Sequence, residues 1–203
     1  MTLLAKAMAN PRILITGFTP FSTFHENISQ EMTREISKRG LDGIEIEHMI
    51  LTVDEKGSNL ISDIISEELG FSAVLHLGYS DASESIRLEM AARNRFGMKI
   101  PDNSGRIIES GPIVPGAPSK IAPNFPLSII QNSLRDLDSV TWSDDAGGFV
   151  CNETYFRTLL AISHFNVHQP NVLLLHLPGK DKISFDEQLP IIEKIARILC
   201  SLV

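Results

Sequence analysis

Val172-Leu173-Leu174-Leu175-His176-Leu177-Pro178-Gly179 holds an apolar run around a single histidine and stops at proline and glycine. A strand that is apolar on both faces has to be covered on both, as in the middle of a parallel sheet. Two other segments share the pattern. Arg12-Ile13-Leu14-Ile15-Thr16-Gly17 and Ala73-Val74-Leu75-His76-Leu77-Gly78 are short apolar runs that end in glycine.

Helical patterns lie between them. The chain reads as helix from about Asn27 to Arg39, and again from Asp54 to Leu69, where Leu60, Ile61, Ile64, Ile65 and Leu69 share one face. Ile44 to Thr52 nearly alternates apolar and charged residues and reads as a strand. Ile86-Arg87-Leu88-Glu89-Met90-Ala91-Ala92-Arg93-Asn94 alternates in its first half, as a half-buried strand does. Residues 97–126 carry most of the prolines and little periodicity, which predicts a long functional or covering loop. Helix over Phe125 to Leu137, strand over Ser139 to Trp142, helix over Cys151 to Phe165 and a closing helix over Phe185 to Leu202 complete the chain. This alternation predicts an α/β fold, a three-layer α/β/α sandwich with a mostly parallel, open twisted sheet.

With 203 residues, 43% hydrophobic and 21% charged, the chain has the composition of a globular protein and the length for one domain. A single domain over residues 1–203 is expected, with residues 1–11 a poorly ordered N-terminal extension. The formal net charge of −7, with no basic stripe to offset it, argues against a nucleic-acid partner. No run reaches the roughly 18 apolar residues of a membrane span, and the start of the chain does not read as a signal peptide. Two cysteines in dissimilar settings do not suggest a disulfide framework, so the expected compartment is reducing cytoplasm.

Ala146-Gly147-Gly148-Phe149-Val150-Cys151-Asn152 delivers one of those thiols to the start of a helix. Unpaired N–H groups and a partial positive charge there would lower a thiol pKa and could hold an oxyanion. The competing reading is a small buried hydrophobe, which is how Cys200 reads within the terminal apolar helix. A cysteine nucleophile wants an imidazole base and a group that orients it. His25, His48, His164 and His168 sit in loops or among polar neighbours, whereas His76 and His176 both end buried strands, the edge where open α/β sheets place ligands. Either could be the base. Glu89 interrupts an apolar strand and could be the orienting carboxylate, although period two would equally let it face solvent with Arg87 and Ala91.

Taken in order, these segments resemble the pyroglutamyl peptidase type I (pyrrolidone-carboxylate peptidase) family of cysteine peptidases. Ile15-Thr16-Gly17-Phe18-Thr19-Pro20-Phe21 followed by Asn27 is similar to the family's T-G-F-x-P-F and its later asparagine. Glu89-Met90-Ala91-Ala92-Arg93-Asn94 and Ile100-Pro101-Asp102-Asn103-Ser104-Gly105 resemble E-R-x-A-x-N and I-P-D-N-x-G. The cysteine segment resembles A-G-T-F-V-C-N, and Leu175-His176-Leu177-Pro178 resembles F-I-H-x-P.

The resemblance implies Cys151 as nucleophile, His176 as general base and then acid, and Glu89 as the residue orienting His176. It demotes His76. It further implies Phe18 and Phe21 as walls of a lactam pocket, with Thr52, Tyr79, Phe149 and Val150 at other substrate-binding positions. The reaction implied is hydrolysis of the amide bond after an N-terminal pyroglutamyl residue of a peptide, with no metal and no organic cofactor, by a homo-oligomer.

The chain departs from the family pattern in places. Tyr79 stands where the family has glutamine, and the glycine-rich stretch after it is missing. Lys99 replaces the arginine before I-P-D-N, and a point-charge ammonium cannot reproduce a guanidinium fork. Ser22-Thr23 and Ile28 replace two glycines and a proline. These differences bear on substrate identity more than on reaction type. They leave two rivals: a related cysteine amidase acting on another small N-terminal acyl group, and a catalytically silent homologue that binds a small ligand.

Overall fold

The computed structural model describes residues 10–67, 70–165 and 169–202. In chain order the elements are β1 (Arg12–Phe18), α1 (Ile28–Arg39), β2 (Glu45–Leu51), α2 (Glu55–Glu67), β3 (Ala73–Tyr79), β4 (Ile86–Glu89) and β5 (Ala92–Arg93). They continue with β6 (Lys120–Ile121), α3 (Leu127–Leu134), β7 (Val140–Ser143), α4 (Val150–Ser163), β8 (Asn171–Leu177) and α5 (Phe185–Ser201). Most of the expected N-terminal extension, together with Leu69 and His168, lies outside the described residues.

Six strands form one sheet in the order β2-β1-β3-β8-β4-β7. The first four are parallel, and β4 runs antiparallel to β8. The short connection from β3 explains the reversal. Residues 80–85 are too few for a helical crossover, so the chain turns back and pairs on the far side of β8. β7 then lies parallel to β4 at the sheet edge.

Alternation along the central strands divides the core in two. Ile13, Ile15, Leu75, Leu77, Leu173 and Leu175 meet Ile28, Met32 and Ile36 of α1, Ile130 and Leu134 of α3, and Leu189, Ile192 and Ile195 of α5. On the opposite face Leu14, Val74, Val172 and Leu174 meet Ile61 and Ile65 of α2 and Tyr155, Phe156, Leu159 and Ile162 of α4. Fully burying each such side chain contributes on the order of 1.5–3 kcal/mol, which is why these strands need helices on both faces. The result is a three-layer α/β/α arrangement.

Local signals fix several helix ends. The Asn27 side chain accepts from the Ser29 N–H to start α1, and Gly40, at φ 75°, ends it. Ser184 and Glu187 form a reciprocal capping box on α5.

The segment from Ile86 to Asn94 is not one strand. It breaks after Glu89, and β5 leaves the main sheet to pair antiparallel with β6 inside the long loop. Alternation weakens at Met90-Ala91-Ala92, where two successive alanines are both fully buried. That loop is pinned by polar side chains in place of a core of its own. Asn94 holds the backbone of Val114 and Ala117, and Asn152 of α4 holds the backbone of Arg93 and Arg95.

Candidate active site

The site lies at the C-terminal ends of β3 and β8, on the face covered by α4. Even-numbered residues of both strands point to that face, so Gly78 and His176, register partners across β3 and β8, are there together. Arg87 is the register partner of His176 on the other side, in β4, and period two puts Glu89 on the same face as Arg87. Cys151 is the second residue of α4, whose first turn follows the Gly147-Gly148 turn; Gly147 has φ 85°.

Gly148 cannot carry a side chain here. A Cβ on it would stand 2.5 Å from the Gly97 nitrogen, so the cysteine turn and the start of the long loop meet backbone to backbone. A 2.9 Å bond from the Gly97 N–H to the Gly148 carbonyl closes that contact.

Cys151, His176 and Glu89 are brought together. A Cβ built on Gly78 would be 3.0 Å from Cys151 Sγ and 3.3 Å from His176 Nε2, so thiol and imidazole flank the space that this glycine leaves empty. On the far side of the ring, His176 Nδ1 is 2.7 Å from Glu89 Oε1. Glu89 is fully buried. Burial pushes its pKa up, but the hydrogen bond from His176, with Ser143 and Arg87 after it, outweighs that and holds it below the ordinary value. Glu89 Oε2 has no hydrogen-bond partner among the described residues, and the Ser143 hydroxyl is engaged with the Asp145 backbone.

A carboxylate only accepts hydrogen bonds, so in a neutral ring Nδ1 carries the proton and Nε2, beside the gap that Gly78 leaves, is the proton acceptor. The phenol of buried Tyr155 donates to the Glu89 carbonyl at 3.0 Å and fixes the strand end from below.

The thiol itself departs from expectation. Its place in the first turn of a helix does not by itself produce a thiolate: burial first, and the Glu89 charge second, push the Cys151 pKa up to about 12, and its own backbone N–H only partly offsets them. Burial and the nearby carboxylate thus favour the neutral thiol, and activation of the sulfur falls to an adjacent base. Cys200 is buried in the terminal helix, its pKa raised to about 11 by burial alone.

His76 is walled in. It is fully buried between the hydroxyls of Thr16, 2.8 Å from Nδ1, and Thr158, 3.1 Å from Nε2, and desolvation drops its pKa to about 3. It is a neutral packing residue.

Cys151 and His176 open into a cavity of about 230 Å³ that Phe18, Phe21, Tyr79 and Phe149 also line, together with Asn27, Val53, Ser80 and Arg87. Phe21, Phe24, Tyr79 and Phe149 form one aromatic cluster with centroids 5.2–6.5 Å apart. Tyr79 is also a wall of a neighbouring depression of about 350 Å³ over Glu26, Glu31 and Lys180. Its phenol donates to Asp81 at 2.9 Å and, through burial and then that contact, has a pKa pushed up to about 12.

Two of the expected substrate-binding residues lie off the cavity wall. Thr52 is exposed and does not line the cavity; its hydroxyl donates to Asp54 Oδ1, and the next residue, Val53, takes the wall position, since neighbours in an extended chain point opposite ways. Val150 is buried in the core beneath α4 rather than at the cavity surface. Lys99 is exposed and is not among the cavity-lining residues. Sequence reasoning missed Arg87 as a site residue, although its two-residue spacing from Glu89 was the available signal. Among the described residues no group of three His, Cys, Asp or Glu side chains could hold a metal ion.

A sequence model described as pyroglutamyl peptidase matches residues 11–189. The chain belongs to the pyroglutamyl peptidase family. A pyrrolidone-carboxylate peptidase of Aliivibrio fischeri is 30% identical over 181 residues, covering 88% of this chain and 84% of that one. The crystal structure of pyrrolidone carboxyl peptidase from Fervidobacterium islandicum AW-1 superposes with a TM-score of 0.84 at 26% identity, covering 95% of this chain and 100% of that one. The corresponding Thermus thermophilus structure gives 0.76 at 29% identity over 94% and 100%. As a pyroglutamyl peptidase, the chain is a cysteine peptidase by family, and of its cysteines Cys151 is the one that faces a cavity and an imidazole.

Proposed function

We propose that Cys151, His176 and Glu89 carry out the family's reaction, hydrolysis of the amide bond after an N-terminal pyroglutamyl residue. The observation that carries this reading is the pairing of Cys151 Sγ and His176 Nε2 across the gap above Gly78, with Glu89 behind Nδ1.

Nε2 takes the thiol proton as sulfur attacks the scissile carbonyl. Because burial favours the neutral thiol, proton transfer accompanies attack. The backbone N–H of Cys151, free of an intrahelical partner at the second position of α4, is a donor for the oxyanion. Collapse breaks the C–N bond, and the imidazolium returns its proton to the departing amine. Water then attacks the thioester with His176 again as base, releasing the acid and restoring the thiol.

The aromatic walls and the modest volume suit a small neutral ring with few hydrogen bonds. Tyr79, in the place of the family's glutamine, favours a second reading in which another small N-terminal acyl group is the better substrate. A panel of fluorogenic acyl amides, with Cys151→Ala as control, tests both. Turnover of the pyroglutamyl amide that Cys151→Ala abolishes supports the first reading. Silence there with turnover of another acyl amide supports the second, and silence throughout leaves a binding homologue.

The natural substrates in this reading are peptides with a pyroglutamyl N-terminus. A reducing cytoplasmic setting and a homo-oligomer belong to the same proposal, the first supported by two free cysteines. Among the described residues no helix is long and apolar enough to cross a membrane. Light scattering on the purified chain tests the oligomer.

A further inference from the structure

Arg87 is a charged residue in the wall of the cavity whose role the triad does not explain. Its Nε donates to Glu89 Oε1 at 2.7 Å, the same oxygen that receives His176 Nδ1. Its Nη2 lies 3.3 Å from Nδ1 itself. With Nδ1 carrying the proton that it gives to Glu89, that second contact cannot be a hydrogen bond to a lone pair. It is a fixed positive charge held against the ring.

We infer that Arg87 is a positioning residue that locks Glu89 behind His176 and sets a fixed positive charge against the face of the imidazole that Glu89 holds. The inference rests on the reading of His176 as the base but asks something different: what sets the state of the base. Three groups face the ring from the packed elements: Glu89 and Arg87 from β4 and the Cys151 thiol from α4. β3 presents Gly78, which has no side chain. Glu89 stabilises the imidazolium, the neutral thiol does little, and Arg87 opposes it.

Shared between ring and guanidinium, Glu89 still fixes the tautomer while its charge is largely offset. The geometry is built for this. Arg87 and His176 are direct register partners, Glu89 is one pleat further along, and Arg87 is only partly exposed, with 31% of its side chain open.

At the observed separation, a unit charge moves a neighbouring pKa by about one unit even with water-like screening. The sign is fixed. Removing the guanidinium makes the imidazolium less costly and frees Glu89 to stabilise it, so His176 should titrate at higher pH.

The test compares the native chain with Arg87→Met and Arg87→Lys. The His176 ring resonance, assigned with a His176→Gln variant, is followed by NMR across pH, and the acid limb of kcat/KM is measured where a substrate has been found. In Arg87→Met the titration and the acid limb are expected to move up together. Arg87→Lys, which keeps charge but loses the Nε bond, should restore most of the titration position and less of kcat. A ring titration unchanged in a folded Arg87→Met, or one that moves down, would overturn the inference. The NMR arm needs no turnover, so failure of the proposed activity and failure of this assignment are read separately.

Discussion

Gly78 and His176 face each other as register partners in adjacent parallel strands, and the missing side chain of Gly78 is what lets the imidazole and the Cys151 thiol approach one another. A methyl group there would sit 3.0 Å from both Cys151 Sγ and His176 Cδ2, tighter than ordinary contact, so thiol and ring must each give by a few tenths of an ångström. Displacements of that kind at reacting atoms cost rate rather than fold. Gly78→Ala is expected to keep its thermal midpoint nearly unchanged and lose about tenfold in kcat/KM. Full activity in that variant would show that the spacing across Gly78 is not critical.

His76 gives an acid sensitivity with a definite sign. The unfolded chain takes up its proton near pH 6.5, whereas the folded chain holds the ring neutral until about pH 3. The stabilising contribution is therefore complete above 6.5 and is lost progressively as pH falls from there toward 3. Denaturant unfolding at pH 7 and pH 5 reads it: His76→Gln should lose about 2 kcal/mol less than the native chain between those pH values. Equal losses would mean that His76 is not held neutral in the fold.

A buried ionic network ties the long loop to the helix that carries the nucleophile. Arg106 bonds Asp102 Oδ2 at 2.8 Å and both oxygens of Glu153, at 3.2 and 2.7 Å, and Glu153 also takes Arg157. Glu153 is 1% exposed and two residues beyond Cys151. Breaking such a network from one side leaves buried carboxylates short of a partner, at a cost of roughly 3–5 kcal/mol. Arg106→Met should lower the thermal midpoint by about 6–20 °C. Calorimetry that shows no change would assign the network a surface role.

The fold was legible because the central strands are apolar on both faces and the helices between them are amphipathic. Those two periods leave little but a covered parallel sheet. What the sequence did not reveal followed from tertiary pairing. The turn-back at residues 80–85 and the small β5-β6 ribbon depend on partners far along the chain, and nothing local in Lys120-Ile121 marks a strand.

At the site, the glycines and the proline that end apolar runs signalled that Cys151 and His176 come at element ends. Period two related Glu89 to Arg87 but could not tell whether their face met solvent or a helix. Only the packing of α4 over β8 and β4 settles that face as interior. Thr52 shows the same limit: a one-residue difference in an extended segment decides whether a side chain faces the cavity, and Val53 is the one that does.

The central claim is that sulfur 151 becomes acylated during turnover. Rapid acid quench of the chain mixed with a pyroglutamyl amide, followed by digestion and mass spectrometry, reads this directly. One pyroglutamyl group is expected on the peptide containing Cys151, none on that containing Cys200, and no adduct in Cys151→Ser. Undiminished hydrolysis by Cys151→Ser, or acylation at a different residue, would contradict it.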